Sequence, residues 1–203
     1  MSTAKAILRE PPIASLPWDT SRGSISMLLF ITTEGMLFVC LFFGYFYLGA
    51  HNDRWPLDEL PKWHLATIML VLLLASSVVL YFGEEASKKG EVFRARLFML
   101  ATVGMGIAFI VLQVFEYKDH LKTLRPTTDA YGSIFYTITS FHALHVFVGL
   151  AMLIYTLLLP DIEGKIRPPH RPYHNASLYW HFVDFVWLMV VLLLYYLPHV
   201  NRS

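Results

Sequence analysis

Seven side chains in this sequence combine ionisable or strongly polar chemistry with apolar surroundings: Glu34, Gln113, Glu116, His142, His145, His181 and Asp184. Glu34 lies in ITTEGMLFVC. An ionised carboxylate at the centre of an apolar helix costs roughly 2.5–3.5 kcal/mol on insertion scales, so it must be protonated, paired or wet. That chemistry is either a proton relay in contact with water or a neutral acid hydrogen-bonded to a neighbouring helix. Gln113 and Glu116 are three residues apart and share a helical face. Glu116 reads as a helix-end carboxylate, satisfied by solvent or by another helix. His142 and His145, in TITSFHALHVFVGL, are also three apart, so both rings can face one way. Imidazole suits iron, copper and zinc, but two histidines need further ligands, and these would have to come from Glu34, Glu116, His181 or Asp184. Interhelical or intersubunit hydrogen bonding is the plainer use of the pair. His181 and Asp184, in SLYWHFVDFVWL, are a histidine–carboxylate pair one turn apart. They serve either packing against another helix or subunit, or a proton path.

The elements that position these groups are long apolar helices. The chain has 203 residues, of which 56% are hydrophobic and 15% charged, against roughly 45–50% and 25% in soluble domains. A bilayer core of about 30 Å needs about 20 apolar helical residues, and five such stretches occur, at about 24–48, 64–83, 95–117, 130–159 and 176–197. The runs are too long, and alternate too little, for barrel strands. The fold class is therefore all-α, an integral membrane bundle of five transmembrane helices forming one domain over 24–203, with residues 1–23 as an N-terminal tail. Gly104 and Ala108 form a small-residue pair in the third span, suited to close helix packing. Trp18, Trp55, Trp63 and Tyr131 lie near span ends, as interface anchors do.

Lys5, Arg9 and Arg22 in the tail, Lys88, Lys89, Arg94 and Arg96 in the second connection, and Lys165, Arg167 and Arg171 in the fourth fall on one side of the membrane. The positive-inside rule makes that side cytoplasmic, placing the N-terminus inside and the C-terminus in the periplasm. The first apolar run follows Pro11, Pro12 and Pro17 and is too long for a cleavable signal. A formal charge of +1 provides no field for nucleic acid. The single cysteine, Cys40, excludes an internal disulfide, a multi-cysteine zinc site and an iron–sulfur cluster held by this chain.

Four stretches in order, each on its own span, resemble subunit III of the haem–copper terminal oxidases: ITTEGMLFVCLFFGYFYL, GIAFIVLQVFEY, FHALHVFVGL and YWHFVDFVWL. The resemblance covers nearly all of the chain after about Ser24. It implies a subunit without catalytic, metal-binding or cofactor-binding residues of its own, so that the chain alone is not an enzyme; haem and copper belong to partner subunits. Its implied partners are the catalytic subunit I, in direct contact, subunit II in the same complex, and membrane phospholipid. The implied role is to stabilise subunit I and sustain proton uptake for the reduction of oxygen to water in the bacterial inner membrane. Glu34 matches the family's intramembrane carboxylate and Glu116 the Glu of its Gln-x-x-Glu-Tyr stretch; His142, His145, His181 and Asp184 match their motif positions.

The family pattern has seven spans and this sequence begins at what corresponds to the third, as in the five-span bacterial branch. Thr33 replaces the usual Ser before the carboxylate, and Ala143 the usual Gly between the histidines. SLYWHFVDFVWL lacks the Glu-Ala-Ala-Ala-Trp approach of mitochondrial-type proteins and looks closer to quinol-oxidase and related bacterial versions. Cytochrome c oxidase remains the first reading, with a quinol oxidase or a nitric-oxide-reductase-associated protein as alternatives. Two other classes compete: a membrane enzyme whose histidines bind metal or haem, with His170 and His174 in a Pro-rich loop as the second close histidine pair, and a proton-coupled transporter. The latter fits poorly with five spans and no broken helix pair.

Overall fold

The structure, a computed structural model, describes residues 19–52, 55, 63–121, 130–159 and 170–200. Five long helices follow one another: α1 (Asp19–His51), α2 (Trp63–Lys88), α3 (Val92–His120), α4 (Ala130–Leu158) and α5 (His170–Val190). The last continues through a π-helical turn, Val191–Tyr196, into α6 (Leu197–Val200). All five are long and apolar enough to cross a membrane, so the protein is multi-pass. At 1.5 Å per residue the 29-residue α3 and α4 are about 43 Å long, close to the roughly 40–45 Å of a bilayer with its headgroups.

Four of the five helices outrun the apolar stretches that announce them, because a helix continues into the headgroup region where polar residues are at ease, while α4 matches its stretch to within one residue. Thus α1 begins at Asp19, inside the stretch assigned to the tail, and Trp18 lies outside the described residues. The fifth helix begins at His170, six residues before the apolar run, with Pro172 in its first turn, where a missing N–H costs nothing. His170 and His174 are consequently helical and not part of a loop.

Lys89, Gly90 and Glu91 join α2 to α3. Gly90 takes a positive φ of 80°, a conformation that costs a side-chain-bearing residue about 1–2 kcal/mol. The Glu91 N–H bonds the Ala86 carbonyl at 2.9 Å and the Gly90 N–H bonds Ser87 at 3.1 Å, the paired cap of a Schellman turn. The tight reversal makes α2 and α3 antiparallel neighbours with the most extensive contact in the bundle. The central helix is α5, which packs on α1, α2 and α4; α3 also packs on α4, and α1 lies outside against α4 and α5.

Trp180 of α5 plugs the centre. A Cβ on Gly106 of α3 would stand 2.6 Å from its ring, and one on Gly149 of α4 2.9 Å, so both positions require hydrogen there. The indole N–H donates to Ser76 Oγ of α2 at 2.9 Å. One side chain thereby ties three helices to the fourth. Small residues do the close packing expected of membrane helices, but not those the sequence singled out: Gly104 faces outward with nothing within 4 Å, and Ala108 is exposed. They lie two residues away from Gly106, on a different face. Tyr131 likewise is 1% exposed, packed with Tyr45 and Trp55 instead of anchoring at the interface.

Candidate functional site

The polar residues sort into three clusters, each joining two helices. In the first, Glu34 of α1 meets His145 of α4, with Oε2 3.0 Å from Nε2. His145 Nδ1 stands 2.6 Å from the Phe141 carbonyl, which can only accept, so Nδ1 carries a proton. The second contact then takes one proton more than a neutral imidazole and a carboxylate hold together. Either the carboxylic acid donates to Nε2 or an imidazolium donates to the carboxylate, and each arrangement is neutral as a pair. This answers the insertion cost of Glu34, whose side chain stays 25% exposed against 9% for His145. Phe38 packs edge-on against the imidazole at 5.0 Å.

The second cluster lies between α2 and α5. Ser77 Oγ is 2.7 Å from His181 Nδ1, and the Ser77 hydroxyl also donates to Asp184 Oδ2. On the other side of the ring, Ser177 Oγ is 3.3 Å from His181 Nε2. His181 and Asp184 therefore do not pair directly; a serine from another helix bridges them. One turn nearer the start of α5, His174 Nδ1 is 3.0 Å from Glu84 Oε1, and Lys88 approaches the same oxygen at 3.3 Å.

The third cluster sits at the opposite end, between α3 and the π-helical turn. The Tyr195 hydroxyl donates to Glu116 Oε1 at 2.8 Å and the Gln113 amide donates to Oε2 at 3.1 Å. Glu116 is 2% exposed, so its partner is a neighbouring helix and not solvent. The wide turn at Val191–Tyr196 is what brings Tyr195 round to it. Nearby, the Tyr117 hydroxyl donates to Thr139 Oγ1 at 2.8 Å.

His142 and His145 diverge. His145 points to α1, whereas the His142 ring stacks on Trp187 at 4.8 Å and 26° and meets Phe109 edge-on at 5.7 Å. His142 is fully buried and neither ring nitrogen has a hydrogen-bond partner. Among the described residues His142 makes no interhelical hydrogen bond, and aromatic contact holds it. Among the described residues no group of three or more His, Cys, Asp or Glu is arranged to hold a metal ion.

Ser77, Ser177 and Tyr195 are the participants that sequence reasoning missed. Serine and tyrosine carry no charge and raise no alarm in an apolar run. The available signal was Ser76-Ser77 in the middle of α2, where two adjacent hydroxyls interrupt LLLA and VVLY.

The family model described as cytochrome c oxidase subunit III matches residues 20–199, nearly the whole chain and every cluster above. The chain belongs to this family. Among relatives named cytochrome c oxidase subunit 3, the protein of Thermostichus vulcanus is 33% identical over 175 residues, covering 85% of this chain and 86% of its own. The protein of Mycobacterium leprae, named a probable cytochrome c oxidase subunit 3, is 34% identical over 178 residues, 86% of this chain and 87% of the relative. That of Pisaster ochraceus is 34% identical over 182 residues, with 84% of this chain against 68% of the relative. As a subunit III, the protein is a component of a haem–copper oxidase, an oxidoreductase complex with further subunits.

Proposed function

We propose that this subunit III is an accessory, non-redox component of a bacterial cytochrome c oxidase, lying directly against the catalytic subunit I in the cytoplasmic membrane with its N-terminus inside. Haem and copper reside in subunits I and II, and this chain stabilises subunit I, holds phospholipid and supports proton uptake for the reduction of oxygen to water. The observation that carries the reading is the pairing of every motif carboxylate with a partner on another helix: Glu34 with His145, Glu116 with Tyr195, Asp184 with Ser77. Among the described residues these groups are engaged by neighbours and are not gathered into a ligand set. The relatives' names favour cytochrome c as the electron donor over a quinol. A cavity of about 290 Å³ between α1, α4 and α5, lined by Met27, Met152, Tyr155, Thr156, Pro172 and Asn175, suits part of a lipid with a polar group at its rim.

Purification of the tagged chain from its own membrane tests the proposal. Recovery of haem-bearing partners, with an optical spectrum and subunit masses that include covalently held haem c or a copper-binding subunit II, supports it. A chain that comes out alone, from a membrane whose oxidase is intact and durable without it, refutes it.

A further inference from the structure

Trp180 and Trp187 lie wholly buried on one face of α5, yet their indole N–H groups fare differently. That of Trp180 donates to Ser76 Oγ at 2.9 Å. That of Trp187 has no hydrogen-bond partner among the described residues, although a buried indole N–H ordinarily finds one. It does not stand alone. Asp184 Oδ1, Gln113 Oε1 and both ring nitrogens of His142 are buried without a partner as well, and none of the four residues is more than 4% exposed. They are grouped in the core. The His142 ring stacks on Trp187 at 4.8 Å, and Phe109 stands edge-on to both, at 5.7 Å and 5.0 Å. Asp184 precedes Trp187 by one turn of α5, and Gln113 follows Phe109 by one turn of α3, so each lies on the face that carries these rings.

We infer that Trp187, His142, Asp184 and Gln113 form a binding site for internal water between α3, α4 and α5. Buried polar groups without a partner are rare, and a concentration of them at one place calls for a ligand that serves them together. Stacking does not call for histidine at position 142: a phenylalanine would cover the indole equally well and leave no nitrogen to satisfy. The site gives that imidazole the polar partner that the helices do not.

The chemistry of the unpartnered atoms selects the ligand. Trp187 Nε1 only donates, and a neutral imidazole has one nitrogen that donates and one that accepts. Gln113 Oε1 only accepts, because its amide nitrogen is committed to Glu116 Oε2. Asp184 Oδ1 accepts as a carboxylate and donates as an acid, its Oδ2 being engaged by Ser77. A metal cation is repelled by the indole N–H and finds no group of three or more His, Cys, Asp or Glu among the described residues. An anion is repelled by the Gln113 carbonyl and by an Asp184 carboxylate. Water gives two protons and accepts two, which matches a set of mixed donors and acceptors, and internal waters commonly bond about three groups that the protein leaves unpaired. One water cannot satisfy all five atoms. Two waters bonded to each other can.

The test is electron cryomicroscopy of the assembled complex at a resolution that shows ordered water, paired with ultraviolet resonance Raman spectroscopy of the same preparation. The map should contain one or two peaks at about 2.7–3.2 Å from Trp187 Nε1 and a His142 nitrogen, at least one of them also reaching Asp184 Oδ1 or Gln113 Oε1. The Raman difference between the unmodified complex and Trp187→Phe should report a hydrogen-bonded indole N–H. His142→Phe, which keeps a ring on the indole and removes both nitrogens, should lose the peak bonded to the imidazole. Ordered side chains with no peak between them overturn the inference. So do a map in which these atoms bond one another directly, a peak with the ligand distances of a metal ion, and a Trp187 indole whose N–H is free. The map alone decides the first three and requires no variant to fold. None of these results bears on the electron donor or on recovery of haem-bearing partners, so the water site and the proposed function stand or fall separately.

Discussion

Helices α1 and α5 are both apolar spans of family motif, yet they are built for opposite purposes. Over its most apolar eighteen-residue stretch α5 is 56% buried and α1 only 6%. On α5, Tyr179, Trp180, Val183, Val186, Trp187 and Val190 are all nearly or wholly inaccessible. On α1, Met36, Val39, Phe43 and Tyr47 face outward, Phe43 with 70% of its surface free, and a face of that composition is solvated by lipid chains or by another apolar subunit. Hydropathy does not separate the two. Position in the bundle does, and α5 owes its place to residues on other helices that make room for it. The same contrast governs the polar groups: those of α5 lock it to α2, whereas Glu34 is the one intramembrane carboxylate of α1 and its reach to His145 is a single contact on a thinly packed helix.

The sharpest way to break the comparison is Trp180→Ala. Emptying a site shared by Ser76, Gly106 and Gly149 should cost about 3–5 kcal/mol, enough to remove the subunit from the assembled complex at growth temperature. Subunit content of the purified oxidase measures this, and retention of a normal subunit would show that α5 is not the organising helix. Next in size is overpacking from the other side. Gly106→Val should cost about 1–3 kcal/mol, because even its Cβ would meet the indole at 2.6 Å. Gly104→Val, only two residues away in open space, should change the stability of this chain by no more than about 0.5 kcal/mol. Thermal dissociation of the subunit compares the pair, and a Gly104 variant that dissociates early would locate another subunit on that face of α3.

A smaller effect is due from Tyr195→Phe. Glu116 loses one donor while Gln113 still serves its other oxygen, so about 1 kcal/mol should be lost, the net worth of a typical hydrogen bond. Thermal stability of the subunit in the complex is again the readout. A loss several times larger would mean that the π-helical turn itself depends on this contact.

The number of spans, their all-helical character and the shared face of Gln113 and Glu116 were legible in the sequence, since each follows from local spacing and composition. The order of helices around α5 was not. It rests on Gly106 and Gly149 fitting one indole, a relation between positions on three helices that no local pattern encodes. Gly104 and Ala108 met the rule for close packing and lie on the wrong face for it, which shows that a small-residue spacing specifies an ability to pack and not a partner. The histidine pair divides in a related way. Residues three apart share a broad face, but His142 and His145 stand at two edges of it, one turned to α3 and α5, the other to α1. Ser77 was illegible because the chemistry that makes it important belongs to His181 and Asp184 on another helix.

The smallest expected change in stability, and the one that separates packing from function, is at Glu34. Because Nδ1 of His145 is committed to the Phe141 carbonyl, Nε2 needs a donor or must itself be protonated. Glu34→Gln supplies a neutral amide N–H to that nitrogen and keeps the contact, while Glu34→Leu removes it. Hydrogen bonds between membrane helices average only about 0.6 kcal/mol, so both variants should assemble. If the pair serves only to seat α1 on α4, Gln should match the unmodified protein and Leu should shed the helix slightly more readily. If the pair supports proton uptake, both variants should lose steady-state oxygen consumption over many turnovers, because the amide preserves the geometry and abolishes the exchangeable acid. Activity that is unchanged in Gln and durable at several pH values would confine Glu34 to packing.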